Sequence, residues 1–195
     1  SVGQPTNIQL CHQQNYAGFT FTNPNIVAGT SYIWTNDNAS IGLAINGAGL
    51  GLPAFVASNL GTSLSTANIS VQASANGCLS APVTFQLSIN PNPLVLAQGP
   101  FYYCDNTQTN GISLSSTVSG VSYNWTLDNT AIGLNQSSGQ DSIPSFTAQN
   151  NTLNPITGNF NITATINGCV GPVQTIQLIV NPIPVIDTVS SIVIC

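Results

Sequence analysis

The chain carries the same sequence twice, about 91 residues apart. The segment WTNDNASIGL that begins at Trp34 is matched by WTLDNTAIGL beginning at Trp125, and two Asn-Gly-Cys tripeptides end at Cys78 and Cys169. Self-similarity at a fixed period is the signature of a tandem array in which each repeat is one folded module. We therefore predict β-sandwich repeats over residues 1–91 and 92–182, and the first strand of a truncated third repeat over residues 183–195.

Apolar and polar residues alternate in both repeats, which predicts β-strands. The run TFQLSIN at 84–90 is copied at 175–181, and the preceding strands are predicted at 68–73 and 161–166. The Asn-Gly dipeptide that lies between the strands of each pair favours a tight turn. The last two strands of each repeat are therefore predicted to form a hairpin with its turn beside the second cysteine.

Further short strands are predicted around each tryptophan, at 32–35 and 123–126, and after a proline at 53–57 and 144–148. No window sustains the period of a helix. Seven or so short strands in about 90 residues are typical of an immunoglobulin-like sandwich. The Asn-Pro-x-Pro linkers that end each repeat are stiff, so we expect an all-β, rod-like array.

Four cysteines follow the repeat, which predicts one disulfide per module: Cys11–Cys78 and Cys104–Cys169. Such bridges require an oxidising compartment, so we expect an extracellular or cell-surface location. Zinc ligation is a weaker alternative because the chain has no C-x-x-C motif and a single histidine. Cys195 aligns with the first cysteine of a repeat and is predicted to be unpaired in this segment, because its partner would lie in the rest of the third repeat. A free thiol or an intermolecular bridge is the alternative.

The chain has no lysine and no arginine, and only 3% of its residues are charged. Without basic side chains it cannot neutralise phosphates, so we expect no nucleic-acid partner. Anionic membrane surfaces are excluded for the same reason, and no apolar run is long enough for membrane insertion. Five aspartates and one histidine offer little for acid–base chemistry, so we expect no catalytic residues, no cofactor and no enzyme activity.

Asp37 and Asp128 are the only acidic residues that recur in both repeats, in the context W-T-x-D-N. We interpret each aspartate, together with the asparagine that follows it, as capping the turn after the core strand through side-chain-to-backbone hydrogen bonds. The alternative is a calcium ligand at each position, but one carboxylate per repeat is few for calcium.

The motif W-T-x-D-N-x-x-I-G-L, followed by P-x-F-x-A, N-G-C and a strand that closes in N-P-x-P, resembles the PKD-like repeats of large Bacteroidetes cell-surface proteins. These include gliding-motility adhesins and surface filaments. The resemblance implies a β-sandwich fold, type IX export and a place on the cell surface. It also implies O-glycosylation of Ser142 and Thr188, each of which stands between an aspartate and an aliphatic residue.

We therefore expect a structural and adhesive segment of a long extracellular protein, in which stiff repeats act as spacers and as a multivalent contact surface. The expected partners are other repeats of the same chain, further copies that self-associate into filaments, and surface polysaccharide. One alternative is a carbohydrate-binding module of a secreted enzyme, although Trp34 and Trp125 both lie in core-strand patterns. Another is a filament subunit that polymerises by donating a strand.

Overall fold

A computed structural model describes residues 1–186. This part of the chain is all-β: its helical segments are two 3-10 turns, Ala39–Ile41 and Thr130–Ile132. None of the helical segments in this range has the length and apolar character to cross a membrane. Thr188, Cys195 and most of the predicted third-repeat strand lie outside the described residues.

The first repeat contains ten strands, most of them short. They are β1 (Ile8–Cys11), β2 (Asn15–Tyr16), β3 (Phe19–Thr20), β4 (Ser31–Asn36), β5 (Asn46–Gly49), β6 (Gly51–Leu52), β7 (Phe55–Val56), β8 (Ser65–Ala75), β9 (Cys78–Leu79) and β10 (Val83–Asn90). The second repeat has the corresponding long strands with fewer short ones. They are β11 (Phe101–Cys104), β12 (Ile112–Ser113), β13 (Ser122–Leu127), β14 (Ser138–Gln140), β15 (Ser142–Ile143), β16 (Ile156–Ile166), β17 (Cys169–Val170) and β18 (Gln174–Asn181).

The main sheet of the first repeat has the order β1-β10-β8-β4-β5, with β9 paired to β8. Strand β1 runs parallel to β10, while the other neighbours are antiparallel. Two short ladders, β2-β7 and β3-β6, supply the opposing layer. This arrangement is an immunoglobulin-like β-sandwich. The second repeat has the same main sheet, β11-β18-β16-β13-β14, with β11 parallel to β18.

The core forms because side chains of a strand alternate between its two faces. In β8 every second residue from Ala67 to Ala73 is buried, and in β10 Phe85, Leu87 and Ile89 are buried in the same way. The Phe19 ring of β3 contacts the Phe85 ring of β10 edge-on at 5.8 Å between centroids. The two layers are therefore packed face to face.

Each core tryptophan lies against a glycine on the neighbouring strand. Trp34 pairs with Gly47 and Trp125 with Gly139, and a Cβ on either glycine would overlap the indole ring. Trp34 and Trp125 are 4% and 2% exposed. Their predicted position in the core is confirmed.

The structure contains the strands that alternation predicts: each repeat has its two long strands and its tryptophan strand. The Asn-Gly turn joins β8 to the short β9, after which the chain continues as β10. The prediction for 144–148 is wrong: outside β15, only one isolated bridge links Gln108 to Thr147. There the backbone N–H of Phe146 donates to the Thr109 hydroxyl at 2.9 Å, so a side chain replaces the ladder partner.

The chain divides into two compact units that differ from the sequence repeats. The first comprises Ser1–Leu94, Ser116–Val121 and Ala164–Pro172. The second comprises Val95–Ser115, Ser122–Thr163 and the residues from Val173 onward. The Asn-Gly-Cys turn of the second repeat thus belongs to the first compact unit.

Candidate functional site

The structure contains a disulfide between Cys11 and Cys169, which lie 158 residues apart in sequence with their Cα atoms 5.5 Å apart. Both cysteines belong to the first compact unit. The predicted pairs Cys11–Cys78 and Cys104–Cys169 are therefore not the ones formed. Within residues 1–186, Cys78 and Cys104 are exposed and have no disulfide partner.

Strand direction explains why the predicted pairs do not form. Cys11 lies opposite Asn90 at the end of β10, because β1 is parallel to β10. Cys78 instead precedes the start of β10 at Val83. The two cysteines are thus separated by at least the length of that strand, about 24 Å, whereas a disulfide needs Cα atoms within about 7 Å.

The same obstacle separates the second predicted pair. Cys104 lies opposite Asn181 at the end of β18, and Cys169 precedes the start of that strand at Gln174. An antiparallel first strand would have brought the cysteines of each repeat together. The predicted pairs fail because β1 and β11 run parallel to the strands beside them.

Polar and close backbone contacts surround the disulfide in the first unit. The side-chain amide of Asn167 donates to the side-chain oxygen of Asn90 at 3.0 Å. Gly171 lies so close to the Pro93 carbonyl that a Cβ would overlap its oxygen. The backbone N–H of Thr117 donates to the Leu94 carbonyl at 3.1 Å. The disulfide is thus one of several contacts that hold these segments of the first unit together.

Asp37 bridges strands and does not cap the turn that follows it. Its two carboxylate oxygens accept hydrogen bonds from the backbone N–H and the side-chain amide of Asn68, at 2.7 and 2.8 Å. Asp128 accepts the same two bonds from Asn159, both at 2.7 Å. The side-chain amide, and then the backbone N–H, hold the pKa of each carboxyl below its usual value.

The cap of the 3-10 turn comes from the next residue along. The side-chain oxygen of Asn38 accepts from the Ser40 backbone at 3.1 Å, and that of Asn129 accepts from Ala131 at 3.1 Å. Because the N-cap position is already filled by asparagine, the aspartate is free to reach the neighbouring strand. The predicted cap is therefore confirmed for Asn38 and Asn129. It is corrected for Asp37 and Asp128, which bond to the neighbouring strand.

Metal binding at these aspartates has no further support. Both oxygens of each carboxylate already accept protein hydrogen bonds. Among the described residues there is no group of three or more His, Cys, Asp or Glu side chains that could hold a metal ion. The described residues therefore offer Asp37 and Asp128 no further side-chain ligands for calcium.

Sequence reasoning missed a pair of buried asparagines. Asn59 donates from its side chain to the Ile89 and Ser63 carbonyls at 2.7 and 2.8 Å, and Asn150 does the same to Val180 and Asn154 at 2.8 Å each. Each ties a loop to the last strand of its sandwich. The signal was present: the two asparagines lie 91 residues apart.

The partner of each buried asparagine differs between repeats. The backbone N–H of Asn59 donates to Nδ1 of His12 at 2.9 Å, and that of Asn150 donates to a carboxylate oxygen of Asp105 at 2.7 Å. His12 and Asp105 each follow the first cysteine of their repeat. His12 thus has a structural role as a hydrogen-bond acceptor.

Trp34 and Trp125 are buried, so neither forms an exposed aromatic platform. A depression bordered by Gln4, Tyr16 and Phe19 has no carboxylate, histidine or cysteine in its lining. Burial raises the pKa of the Tyr16 hydroxyl, which keeps it protonated. Of the two candidate O-glycosylation sites, Ser142 lies among the described residues, and it is exposed in β15.

No family model matches the chain, and no curated protein matches it. Among solved structures, DIP-gamma IG1+IG2 is 8% identical with a TM-score of 0.49, over 93% of this chain and 96% of that one. Human mucin-like protocadherin EC1-2 is 14% identical with a TM-score of 0.42, over 95% and 98%. Human protocadherin-24 EC1-2 is 12% identical with a TM-score of 0.44, over 91% and 93%. At these values no function transfers, and the immunoglobulin-like assignment rests on strand order and direction.

Proposed function

We propose that this chain is a structural and adhesive repeat segment of an extracellular protein, and that it bears load between a surface and whatever the protein contacts. One observation carries the proposal: a single disulfide encloses most of two copies of the same sandwich. An oxidising environment is needed to form that bond, which favours a place outside the cytoplasm.

The position of the disulfide suits a segment under tension. Force applied at the chain ends would pass directly from Cys11 to Cys169, which are 158 positions apart, so the sequence between them could not be extended. At about 3.4 Å per extended residue, the bond conceals roughly 500 Å of chain. The segment would therefore keep its length at forces that unfold an unbridged sandwich.

The surface suits repeated weak contacts. Asparagine, glutamine, serine and threonine supply most of its polarity, and weak charge repulsion permits close lateral approach. Avidity across many repeats would then supply affinity for surface polysaccharide or for neighbouring copies. We place the segment in a filament-forming cell-surface protein of Bacteroidetes that carries PKD-like repeats, a class that includes gliding-motility adhesins. Ser142 is the glycan site that we propose for it.

The proposal includes the absence of catalysis. The repeated polar groups of the described region, such as Asp37, Asn59 and Asp128, are engaged in hydrogen bonds within a sandwich. These hydrogen bonds hold the sandwich together, and the groups do not converge on a cleft. The carbohydrate-module alternative would need exposed aromatic residues at repeated positions, and the two repeated tryptophans are buried.

Single-molecule pulling tests the load-bearing role. The chain is held by its two ends and stretched, first in its oxidised form and then in the presence of a thiol reductant. We expect the Cys11→Ser, Cys169→Ser double variant to release roughly 500 Å more contour length than the oxidised chain. Cys78→Ser is the matched control and should extend like the parent. Equal extension of the parent and the double variant would remove the basis of the proposal.

A further inference from the structure

The first repeat contains a depression of about 380 Å³ that is lined by aromatic rings and uncharged polar side chains. We propose that this depression binds a neutral saccharide, which packs its C–H groups on Tyr16 and Phe19 and is hydrogen-bonded by Gln4. The inference rests on the contact with surface polysaccharide proposed above, and it names the site of that contact. We call this depression, with the three named side chains, the aromatic depression.

The rings of the aromatic depression are fixed by other rings. The Phe19 ring contacts the Phe21 ring edge-on at 5.2 Å and the Phe85 ring edge-on at 5.8 Å. The Tyr16 ring contacts the Phe55 ring at 5.6 Å. Phe21 is buried, whereas Tyr16 and Phe19 are half-buried and leave part of each ring open to solvent. Because the rings are already held in place, a ligand that packs against them does not have to order them.

Polar groups stand beside these rings. The side-chain nitrogen of Gln4 donates to the Thr84 carbonyl at 2.9 Å. Since a carbonyl can only accept, this bond fixes the orientation of the amide and leaves the Gln4 side-chain oxygen for a ligand hydroxyl. The protonated Tyr16 hydroxyl can donate, and the exposed Thr20 and Thr22 line the same depression. Hydrogen-bonding groups are therefore present around an apolar floor.

The chemistry of the lining favours a neutral ligand. The lining contains no aspartate, the whole chain has no lysine or arginine, and its net charge is −5, so an anionic ligand would be repelled and a cationic one would find no carboxylate in the lining. A pyranose ring presents C–H groups on its faces and hydroxyls around its edge. It therefore matches aromatic rings that are bordered by an amide and hydroxyls. The volume lies within the range of about 300–1,000 Å³ that is typical of ligand sites.

A second depression favours a saccharide chain over a single sugar. It has a volume of about 420 Å³, shares Tyr16 with the aromatic depression, and is lined on its other sides by residues that include Asn15, Phe55 and Val56. This lining is also uncharged. Because Tyr16 lies between the two depressions, consecutive sugars of one chain can contact both sides of its ring.

A peptide that adds a strand to the sheet is a less suitable ligand. Strand β1 pairs with β10 only from Leu87 onward. The preceding backbone groups of β10 are already bonded by side chains: Gln4 donates to the Thr84 carbonyl, and the Gln86 N–H donates to Asn7 at 2.8 Å. Strand addition needs such backbone groups to be free. The ligand must therefore be recognised by the side chains of the depression.

The second repeat has the same backbone here but lacks these side chains. The Gly3 N–H donates to the Thr22 carbonyl, and the Leu96 N–H donates to the Ser115 carbonyl, so corresponding residues in this region are 93 apart. The positions of Gln4, Tyr16 and Phe19 are occupied in the second repeat by Ala97, Thr109 and Ile112. The second repeat is thus an internal reference in which the sandwich forms without the aromatic depression.

An adjoining repeat does not cover this surface. The second repeat follows the first, yet three positions that correspond to the depression are exposed in it: Ala97, Ser113 and Ser115. The parts of the second repeat that belong to the first compact unit are Ser116–Val121 and Ala164–Pro172. Their counterparts in the first repeat, residues 25–30 and 73–81, do not line the depression. Its exposure is therefore a property of the repeat itself.

Affinity electrophoresis of the whole chain tests the site. Native gels are cast without polysaccharide or with a soluble neutral β-glucan, galactomannan or arabinoxylan, and retardation gives the dissociation constant. The double variant Tyr16→Thr, Phe19→Ile and the single variant Gln4→Ala introduce the residues of the second repeat, which its sandwich accommodates. Tyr102→Ala is the matched control, because Tyr102 is an aromatic residue that is 66% exposed and lies outside the depression.

We expect at least one neutral polysaccharide to retard the parent, and the double variant to bind it about tenfold more weakly. Gln4→Ala, a surface change, should weaken binding severalfold, and Tyr102→Ala should bind like the parent. The carboxymethyl derivative of the same polysaccharide should be bound more weakly, since it is anionic. Urea midpoints of the variants are measured alongside, and Gln4→Ala decides the result if the double variant is destabilised.

Four outcomes would overturn the proposal. They are no retardation by any of the three polysaccharides, equal retardation of the parent and the Gln4 variant, equal loss in the Tyr102 control, and binding of a polyproline peptide in place of a polysaccharide. A chain that binds no polysaccharide but keeps its length under tension would lose this site and retain the load-bearing role. The failure of this inference is thus distinguishable from the failure of the proposed function.

Discussion

Asp37 holds Asn68 by two hydrogen bonds, one to the backbone N–H at 2.7 Å and one to the side-chain amide at 2.8 Å. The residues are 31 apart in sequence, and the contact ties the end of β4 to the middle of β8. Asp128 and Asn159 repeat the contact in the second sandwich. The contact is therefore a repeated element of the sandwich.

This contact predicts how stability depends on pH. Because the Asn side-chain amide and the backbone N–H lower the carboxyl pKa in the folded state, the contribution is present above the unfolded pKa of about 4. It is lost as pH falls through the lower folded value. We expect urea midpoints to decline as the pH falls below about 4. The double variant Asp37→Asn, Asp128→Asn should show a smaller decline.

The control for that measurement is Asp141→Asn, because the carboxylate of Asp141 makes only a 3.5 Å contact with the Tyr123 backbone. This variant should keep the pH dependence of the parent. An identical acid decline in the parent and in the Asp37, Asp128 double variant would contradict the role assigned to the bridge.

The repeats and the long strands could be predicted because they are encoded locally. Alternation at 84–90 and the Asn-Gly turn at 76–77 need only neighbouring residues, and both appear as predicted. The direction of β1 could not be predicted in this way. Four residues ending at Cys11 pair with a strand some 80 positions later, and nothing local distinguishes a parallel from an antiparallel partner.

The candidate site shows the same division. That the cysteines matter followed from their recurrence, but their pairing depends on strand direction and therefore on tertiary structure. The strand predicted at 144–148 does not form for a different reason, which is local. The Thr109 hydroxyl accepts the hydrogen bond from the Phe146 backbone N–H that a neighbouring strand would otherwise accept. A side chain that competes for backbone groups leaves little trace in an apolar pattern.

Packing of tryptophan on glycine gives a second prediction. Gly139→Ala would place a Cβ in the Trp125 indole ring, which has no room to move because it is 2% exposed and contacts the Phe160 ring at 5.7 Å. We expect a loss of about 1–3 kcal/mol in the free energy of unfolding, measured by urea denaturation. Gly111→Ala is the matched control, because the nearest atom to its Cβ is at an ordinary 3.4 Å. A neutral Gly139→Ala would show that the pair is not tightly packed.

The buried asparagines give a third prediction. Asn150→Ala removes the donor that satisfies the Val180 carbonyl at 2.8 Å, in a site that is 4% exposed. Leaving buried groups unpaired costs about 1–3 kcal/mol each, so thermal unfolding should begin at a lower temperature. Asn59→Ala should behave alike in the first repeat. Asn151→Ala changes an exposed neighbour and should leave the transition where it was.

Peptide mapping gives the fourth prediction, and it separates the observed disulfide from the pairing expected of isolated modules. The chain has no lysine or arginine, but a protease that cleaves before aspartate would cut at five places. Without reduction, the Cys11–Cys169 bond should join fragment 1–36 to fragment 141–186 and leave fragment 37–104 separate. Bonds within each repeat would instead hold all three fragments together, which would overturn the pairing.

The same bond should contribute strongly to stability. Its loop of 158 residues corresponds to about 5 kcal/mol in the chain-entropy description. Cys11→Ser with Cys169→Ser should therefore lower the denaturation midpoint far more than Cys78→Ser, whose thiol is exposed and unbridged among residues 1–186. The loss should appear in both sandwiches, because the closed loop includes most of each. A loss confined to the first sandwich would mean that the loop does not restrain the second.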